Sequence, residues 1–244
     1  MKVTVWGGSG FLGSYVSDFL SESGHQVIVA DKKKSPWIKD NQEMFIGDIL
    51  KFDDVLESIH KSDYVFNFAG MANINESNEN PQESAENNVI GNINLLESCK
   101  KSKELKTYVF ASSIYVYSNS GGFYRCSKQA CESYIEEYNR QHNLPFLILR
   151  FGSLYGLRTN ETNGIYKYLK DAVSKGSISY AGDQNARREY IHVEDAAKIC
   201  VDLINKEIKN EFFTLTGTQS ISIKDLTTLI SEIIGKDIKF KFKD

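Results

Sequence analysis

Two rhythms of apolar residues alternate along residues 1–150: short runs rich in Val, Ile, Phe and Tyr, and longer stretches in which apolar positions recur every three or four residues. The short runs predict strands at 2–6, 26–30, 44–46, 64–68, 107–111 and 146–150. The longer stretches predict helices at 10–23, where Leu12, Val16, Phe19 and Leu20 share one side, and at 55–60, 86–100 and 127–142. Gly24 and Asn143 fit the ends of the first and last of these helices. Regular alternation of strand and helix implies an α/β fold with a parallel sheet covered by helices. Past Arg150 the alternation loosens into a loop-rich segment, followed by a strand near 190–193, a helix from Asp195, a strand at 212–215 and a helix near 224–234. The expected organisation is a domain at 1–150 and a smaller C-terminal lobe formed mainly by 151–244, with segments around 190–216 packing back on the first domain.

A chain of 244 residues suits one large domain, or a domain with a small second lobe. Its 29 Lys and Arg against 32 Asp and Glu leave a formal net charge of −3. That balance supplies no broad electrostatic footprint for nucleic acid or an anionic membrane, so recognition of a phosphate has to be local. Glycines follow Met1-Lys2-Val3-Thr4-Val5-Trp6 directly, leaving no room for a secretory leader, and no run approaches the ~20 apolar residues of a membrane span. Cys99, Cys126, Cys131 and Cys200 are scattered, which predicts free thiols in a reducing cytoplasm; no metal is expected.

Between the first strand and the first helix lies Gly7-Gly8-Ser9-Gly10-Phe11-Leu12-Gly13. Gly7 suits a tight turn, Gly10 lets a pyrophosphate approach the backbone, and Gly13 lets helix and strand pack closely. Amides at the start of the helix then face an anion. Asp31 ends the second strand near the ~20-residue offset at which a carboxylate binds a cofactor ribose. This favours NAD over NADP, because a carboxylate there repels a 2′-phosphate; Lys32, Lys33 and Lys34 read as a solvated charged loop. The sheet is therefore expected to be Rossmann-type and doubly wound.

Tyr124 and Lys128 stand four residues apart, on one face of a predicted helix. An ammonium near a phenol favours the phenolate and moves the tyrosine towards the range a general base needs. Ser113 ends the fifth predicted strand, where a hydroxyl reaches the ligand side of a parallel sheet.

Together these features resemble the extended short-chain dehydrogenase/reductase superfamily, in particular its NAD-dependent epimerase/dehydratase family acting on nucleotide sugars. The resemblance runs through the glycine turn, Asp31, Gly47-Asp48-Ile49, Asn67-Phe68-Ala69-Gly70, Asn87-Asn88-Val89, Phe110-Ala111-Ser112-Ser113, Tyr124 with Lys128, Leu149 through Gly156, and Arg188 through Asp195. It implies that Gly7, Gly10, Phe11, Leu12, Gly13 and Asp31 bind the cofactor. Asp48 and Ile49 would lie beside the adenine, Ala69 and Gly70 along the cofactor backbone, and Asn87 near the nicotinamide half. Tyr124 would be the base, Lys128 would hold the nicotinamide ribose and lower the tyrosine pKa, and Ser113 would bind the reacting sugar oxygen. Ser153 and Arg188 would contact the substrate, the arginine gripping its diphosphate.

Family dehydratases carry an Asp-Glu pair just after the catalytic Ser or Thr; here those positions are Ile114 and Tyr115. That leaves epimerisation through a transient ketone, with a keto-sugar reductase as the alternative. A non-catalytic dinucleotide sensor or scaffold and a reductase of small carbonyl compounds are readings from other classes. Two departures from the family pattern stand out: a short interval between Ser113 and Tyr124, filled by Ser118-Asn119-Ser120-Gly121-Gly122, and a last residue at Asp244 where many relatives continue. The resemblance also implies a homodimer in which helices 86–100 and 127–142 form a four-helix contact.

Overall fold

The structure, a computed structural model, describes residues 1–243; residue 244, the end of the expected second lobe, lies outside the described residues. The chain opens with β1 (Lys2–Trp6), α1 (Phe11–Glu22), β2 (Gln26–Asp31), β3 (Gln42–Ile46), α2 (Phe52–Ser58) and β4 (Tyr64–Asn67). Two short helices, α3 (Ile74–Glu79) and α4 (Pro81–Ala85), and a π-helical turn at Glu86–Ile90 lead into α5 (Gly91–Lys101). Next come β5 (Thr107–Ser113), a 3-10 turn at Ile114–Tyr117, α6 (Gly122–His142) and β6 (Phe146–Phe151). The chain continues with β7 (Ser153–Tyr155), α7 (Gly164–Lys175), β8 (Ser177–Ala181), β9 (Arg187–His192) and α8 (Val193–Asn205). It closes with β10 (Glu211–Leu215), β11 (Ser220–Ser222), α9 (Ile223–Ile234) and β12 (Lys239–Lys243).

These elements form two compact units, one of Met1–Phe151 with Glu194–Leu215, the other of Gly152–Val193 with the residues from Thr216 onward. The first holds a seven-stranded sheet in the order β10-β6-β5-β4-β1-β2-β3, with every pair parallel. Parallel neighbours need crossovers that place helices over both faces, so the inner strands are mostly apolar rather than alternating. Val3, Val5, Val65, Phe66, Val109, Leu147, Ile148 and Leu149 are all fully buried. Each contributes about 1.5–3 kcal/mol relative to exposure. Strand order reverses between β1 and β4, which opens a crevice beyond their carboxyl ends.

The second unit has a three-stranded sheet, β11-β9-β7, and a parallel pair, β12-β8. Its core is small: Ala172, Ile178, Leu226, Ile230 and Ile238. The loop-rich expectation for the segment after Arg150 is corrected here, since residues 164–175 form α7. Its caps are legible, Asn163 accepting from the Tyr166 amide at 3.2 Å and Gly176 ending the helix at φ +61. The period is blurred because Tyr166, Leu169 and Val173 remain exposed beside Lys167 and Lys170.

Candidate active site

The glycine turn sits at the carboxyl end of β1. Gly7 takes φ +75, and a Cβ there would lie 2.5 Å from the Ala69 amide nitrogen, so the turn rests directly on the chain leaving β4. A Cβ on Gly13 would lie 2.3 Å from the Gly7 carbonyl oxygen. Gly10 differs, because its nearest neighbour would be 3.1 Å away and its backbone is ordinary extended chain. Packing within the protein thus demands Gly7 and Gly13 more strongly than Gly10, whose bare Cα suits the approach of a ligand. No side chain caps α1 at Gly10 and no acidic residue stands in its first turn, so the amide end at Phe11, Leu12 and Gly13 keeps its positive potential. These features fit a dinucleotide diphosphate.

Asp31 closes β2, and its Oδ2 accepts from the Ser9 amide at 3.1 Å, bracing the turn with a carboxylate at the expected ribose position. Asp48 lies 3.6 Å from Lys32 Nζ, which also donates to Asn87 Oδ1 at 3.1 Å. The Asn87 side chain therefore shares a lysine with Asp48. Ile49 turns its side chain into the core, against Gly91, while its carbonyl accepts from Asn94. Ala69 donates its amide to Asn67 Oδ1 at 3.1 Å, and Gly70 takes φ +136 with Asn88 Oδ1 2.4 Å from where a Cβ would stand.

Ser113 ends β5, and its Oγ accepts from the Tyr115 amide at 3.3 Å, starting the 3-10 turn. Gly121 at φ +101 and Gly122 at φ +52 turn the chain into α6. There Asn78 of α3 accepts from the Phe123 amide at 3.1 Å and so caps the helix from outside. This places Tyr124 in the first turn of α6, with Lys128 one turn later. The Tyr115 ring stands edge-on to Tyr124 with centroids 6.4 Å apart.

Burial pushes the Tyr124 phenol up to about 12, while the Ser113 hydrogen bond pulls it the other way. The expected net lowering of the tyrosine pKa is corrected, because burial outweighs it; the Lys128 ammonium donates to the Ala111 carbonyl at 2.8 Å and stands 5.8 Å from the Tyr124 ring centroid. Desolvation holds Lys128 itself below the ordinary lysine value.

Ser153 and Arg188 belong to the second unit. Ser153 opens β7 opposite Tyr190, and Arg188 in β9 faces Ile221 of β11. Arg188 pulls the Tyr168 phenol down against a larger upward push from burial.

The sequence model of the NAD dependent epimerase/dehydratase family matches residues 3–215. The chain belongs to this family. A Methanocaldococcus jannaschii protein provisionally named a UDP-glucose 4-epimerase is 29% identical, over 96% of this chain and 82% of its own length. CDP-paratose 2-epimerase of Salmonella typhi is 26% identical, over 98% of this chain and 86% of its own. The crystal structure of a UDP-glucose 4-epimerase from Thermotoga maritima, solved with UDP-glucose, superimposes with a TM-score of 0.90 at 26% identity and covers 100% of this chain and 85% of that one.

Within this family member the structure also brings forward residues that sequence reasoning left without a role. Asn88 is buried; its Oδ1 accepts from the Met71 amide at 2.6 Å and its Nδ2 donates to Met71 O at 3.1 Å and Ser127 Oγ at 2.8 Å. It thereby ties the chain after Gly70 to α6. Paired asparagines amid helical periodicity were the available signal, and they fall in the π-helical turn, a local feature that recurs at functional sites. Asn67 and Asn92 share the buried Tyr108 hydroxyl, at 2.9 and 2.6 Å, beneath the end of β4.

Proposed function

We propose that the protein is an NAD-dependent nucleotide-sugar epimerase, which inverts a sugar carbon by transient oxidation of its hydroxyl to a ketone. The observation that carries this reading is the placement of Tyr124 one helical turn before Lys128 and close enough to Ser113 for that hydroxyl to act on its phenol, with Ile114 and Tyr115 where a dehydratase needs an acid and a base. Relatives named for 4- and 2-epimerisation support it. Bound NAD supplies the acceptor and donor of hydride for such a reaction. Ser113 holds the reacting oxygen, and Tyr124 takes the hydroxyl proton and returns it to the ketone oxygen. Burial favours the neutral phenol, the form that gives the proton back. The lysine ammonium supports the opposite transfer and holds the nicotinamide ribose.

In this reading Gly7, Gly10, Phe11, Leu12 and Gly13 receive the cofactor diphosphate and Asp31 its ribose. Asp48 and Ile49 border the adenine, and Ala69, Gly70 and Asn87 line the remaining path. Ser153 and Arg188 hold the nucleotide sugar. We further propose a cytoplasmic homodimer built on α5 and α6 that supplies sugars for polysaccharide synthesis. Among the described residues, no helix is long and apolar enough to cross a membrane.

The test is incubation of the purified protein, without added cofactor, with UDP-glucose and then with GDP-, CDP- and dTDP-sugars, following sugar isomers and reduced-nicotinamide absorbance. Isomer exchange without net reduction is the expected result. Turnover that requires added reduced cofactor and a keto-sugar makes the protein a reductase, and binding without turnover makes it a sensor.

A further inference from the structure

A half-buried ion pair lies one helical turn beyond Lys128. Glu132, one helical turn after Lys128 on α6, engages Arg150 of β6 through two parallel bonds, Nε to Oε1 at 2.9 Å and Nη2 to Oε2 at 2.6 Å. The side chains keep only 9% and 17% of their exposure. Each partner holds one further group. Ser112, the neighbour of Ser113, donates to Glu132 Oε1 at 2.5 Å, and Arg150 Nη1 donates to the Tyr117 hydroxyl at 2.5 Å. The guanidinium carbon stands 4.7 Å from the ring centroids of both Tyr117 and Phe212. Tyr117 ends the 3-10 turn whose start is capped by Ser113.

One pair of charges therefore touches the end of β5, the 3-10 turn, α6 and β6. Of these, β5 carries Ser113 and α6 carries Tyr124 and Lys128. A buried ion pair adds little net stability over apolar residues of similar volume, because desolvation offsets most of the attraction. What it adds here is direction, since a bidentate arginine–carboxylate contact fixes the angle as well as the distance between its elements. Glu132 also pulls Lys128 upward against the larger downward push of burial, so the carboxylate acts on that ammonium too.

We propose that Glu132 and Arg150 are positioning residues: their pair fixes Ser113 relative to Tyr124 and Lys128 and thereby sets kcat, without touching cofactor or substrate. The kinetic arm of this proposal rests on the epimerase reading.

The test compares wild type with Glu132→Met/Arg150→Met, which replaces the pair by apolar side chains of similar length. A merely structural pair predicts a variant with near-native Tm and near-native kcat. A positioning pair predicts near-native Tm and unchanged NAD affinity, but kcat lower by about 10–100-fold with KM within about threefold, the cost of a small misplacement. Retention of kcat within about twofold, or a rise in KM alone, overturns the proposal. Should the double variant fail to fold, Ser112→Ala and Tyr117→Phe each remove one arm; each is expected to lower kcat by about 2–10-fold, and no loss in either overturns it. If wild type turns over no nucleotide sugar, the epimerase reading falls. The positioning claim is then judged on amide hydrogen exchange across residues 111–128 in the two single-arm variants: faster exchange than wild type supports it, and unchanged exchange overturns it.

Discussion

The two units of this chain are built under opposite burial regimes. In the first, parallel strands are covered on both faces, and β4 is buried at every position. In the second, β9 runs Arg187-Arg188-Glu189-Tyr190-Ile191-His192 with only Ile191 buried. A residue at the end of a fully covered strand has neighbours on every side and is held within a narrow range of positions. A residue on a half-exposed strand keeps freedom to follow a ligand. The proposed proton-transfer groups stand on the first kind of scaffold and the proposed diphosphate contact, Arg188, on the second. The difference suggests a division in which the first unit sets the rate of chemistry and the second sets how well substrate is held.

Paired variants test that division most strongly. Tyr124→Phe removes the proton carrier while keeping the ring, so kcat is expected to fall by about 10²–10⁴-fold, with NAD affinity unchanged in a binding titration. Arg188→Ala removes a charge-assisted contact and is expected to raise KM by about 10–100-fold, with kcat within a few-fold. Steady-state kinetics on a substrate found by the nucleotide-sugar screen separates the two. A Tyr124→Phe protein with most of its kcat, or an Arg188→Ala protein that loses kcat alone, breaks the comparison.

The next effect lies inside the first unit, between glycines that serve packing and the one that suits ligand approach. Gly13→Ala drives a methyl to 2.3 Å from the Gly7 carbonyl, and is expected to cost about 1–3 kcal/mol in denaturant unfolding. Gly10→Val meets far less protein, so its Tm should stay near wild type while NAD affinity falls at least about tenfold, the equivalent of about 1.4 kcal/mol. Loss of NAD affinity in neither variant removes the glycine turn from the cofactor site.

Alkaline pH bears mainly on the first unit through its buried acids, although burial also raises Tyr168 in the second. In the first unit burial pushes Cys131 and Tyr124 up to about 12, and it also raises Cys99, Cys200 and Tyr108. The unfolded chain loses these protons near the ordinary values, roughly 8.5 for a thiol and 10 for a phenol. The folded state retains them. Their stabilising contribution is therefore complete below about pH 8.5 and is lost as pH rises through the folded values near 12. Denaturant midpoints should decline over this range, and Cys131→Ala should make the decline shallower. An unchanged slope would show that Cys131 does not titrate with unfolding.

The same contrast explains what was legible in the sequence. Continuous apolar runs revealed β1, β2, β4, β5 and β6 because double coverage leaves few polar positions in them, whereas the edge strand β3 showed only Met44-Phe45-Ile46. The cofactor turn and Tyr124 with Lys128 were legible because their spacing is local. The helix α7 was not, since three of its apolar residues face outward, and neither was α3, whose Asn78 caps α6 from a distant part of the chain. The pairing of Glu132 with Arg150 is likewise non-local: only the register of α6 against β6 brings them together. The tyrosine pKa was misread for a related reason. Spacing placed the lysine on the right face but carried no information about the burial that pushes the phenol up.

The smallest expected effect sharpens the comparison at the second unit's own core. Ile230 on α9 is 3% exposed among a cluster of only five buried residues. Ile230→Val removes one methylene group there and is expected to cost about 0.5–1.5 kcal/mol. A core that small has little surrounding packing to share the loss, so the effect should surface locally. Hydrogen exchange is the measurement, because it resolves partial opening that a global Tm averages away. Amides of α7, α9 and β8 should exchange faster by about 2–12-fold, the equivalent of that energy, while β1, β4 and β5 keep wild-type protection. Equal loss of protection in both units would mean that they open as one cooperative body, and the division of labour would then need a cause other than separate packing.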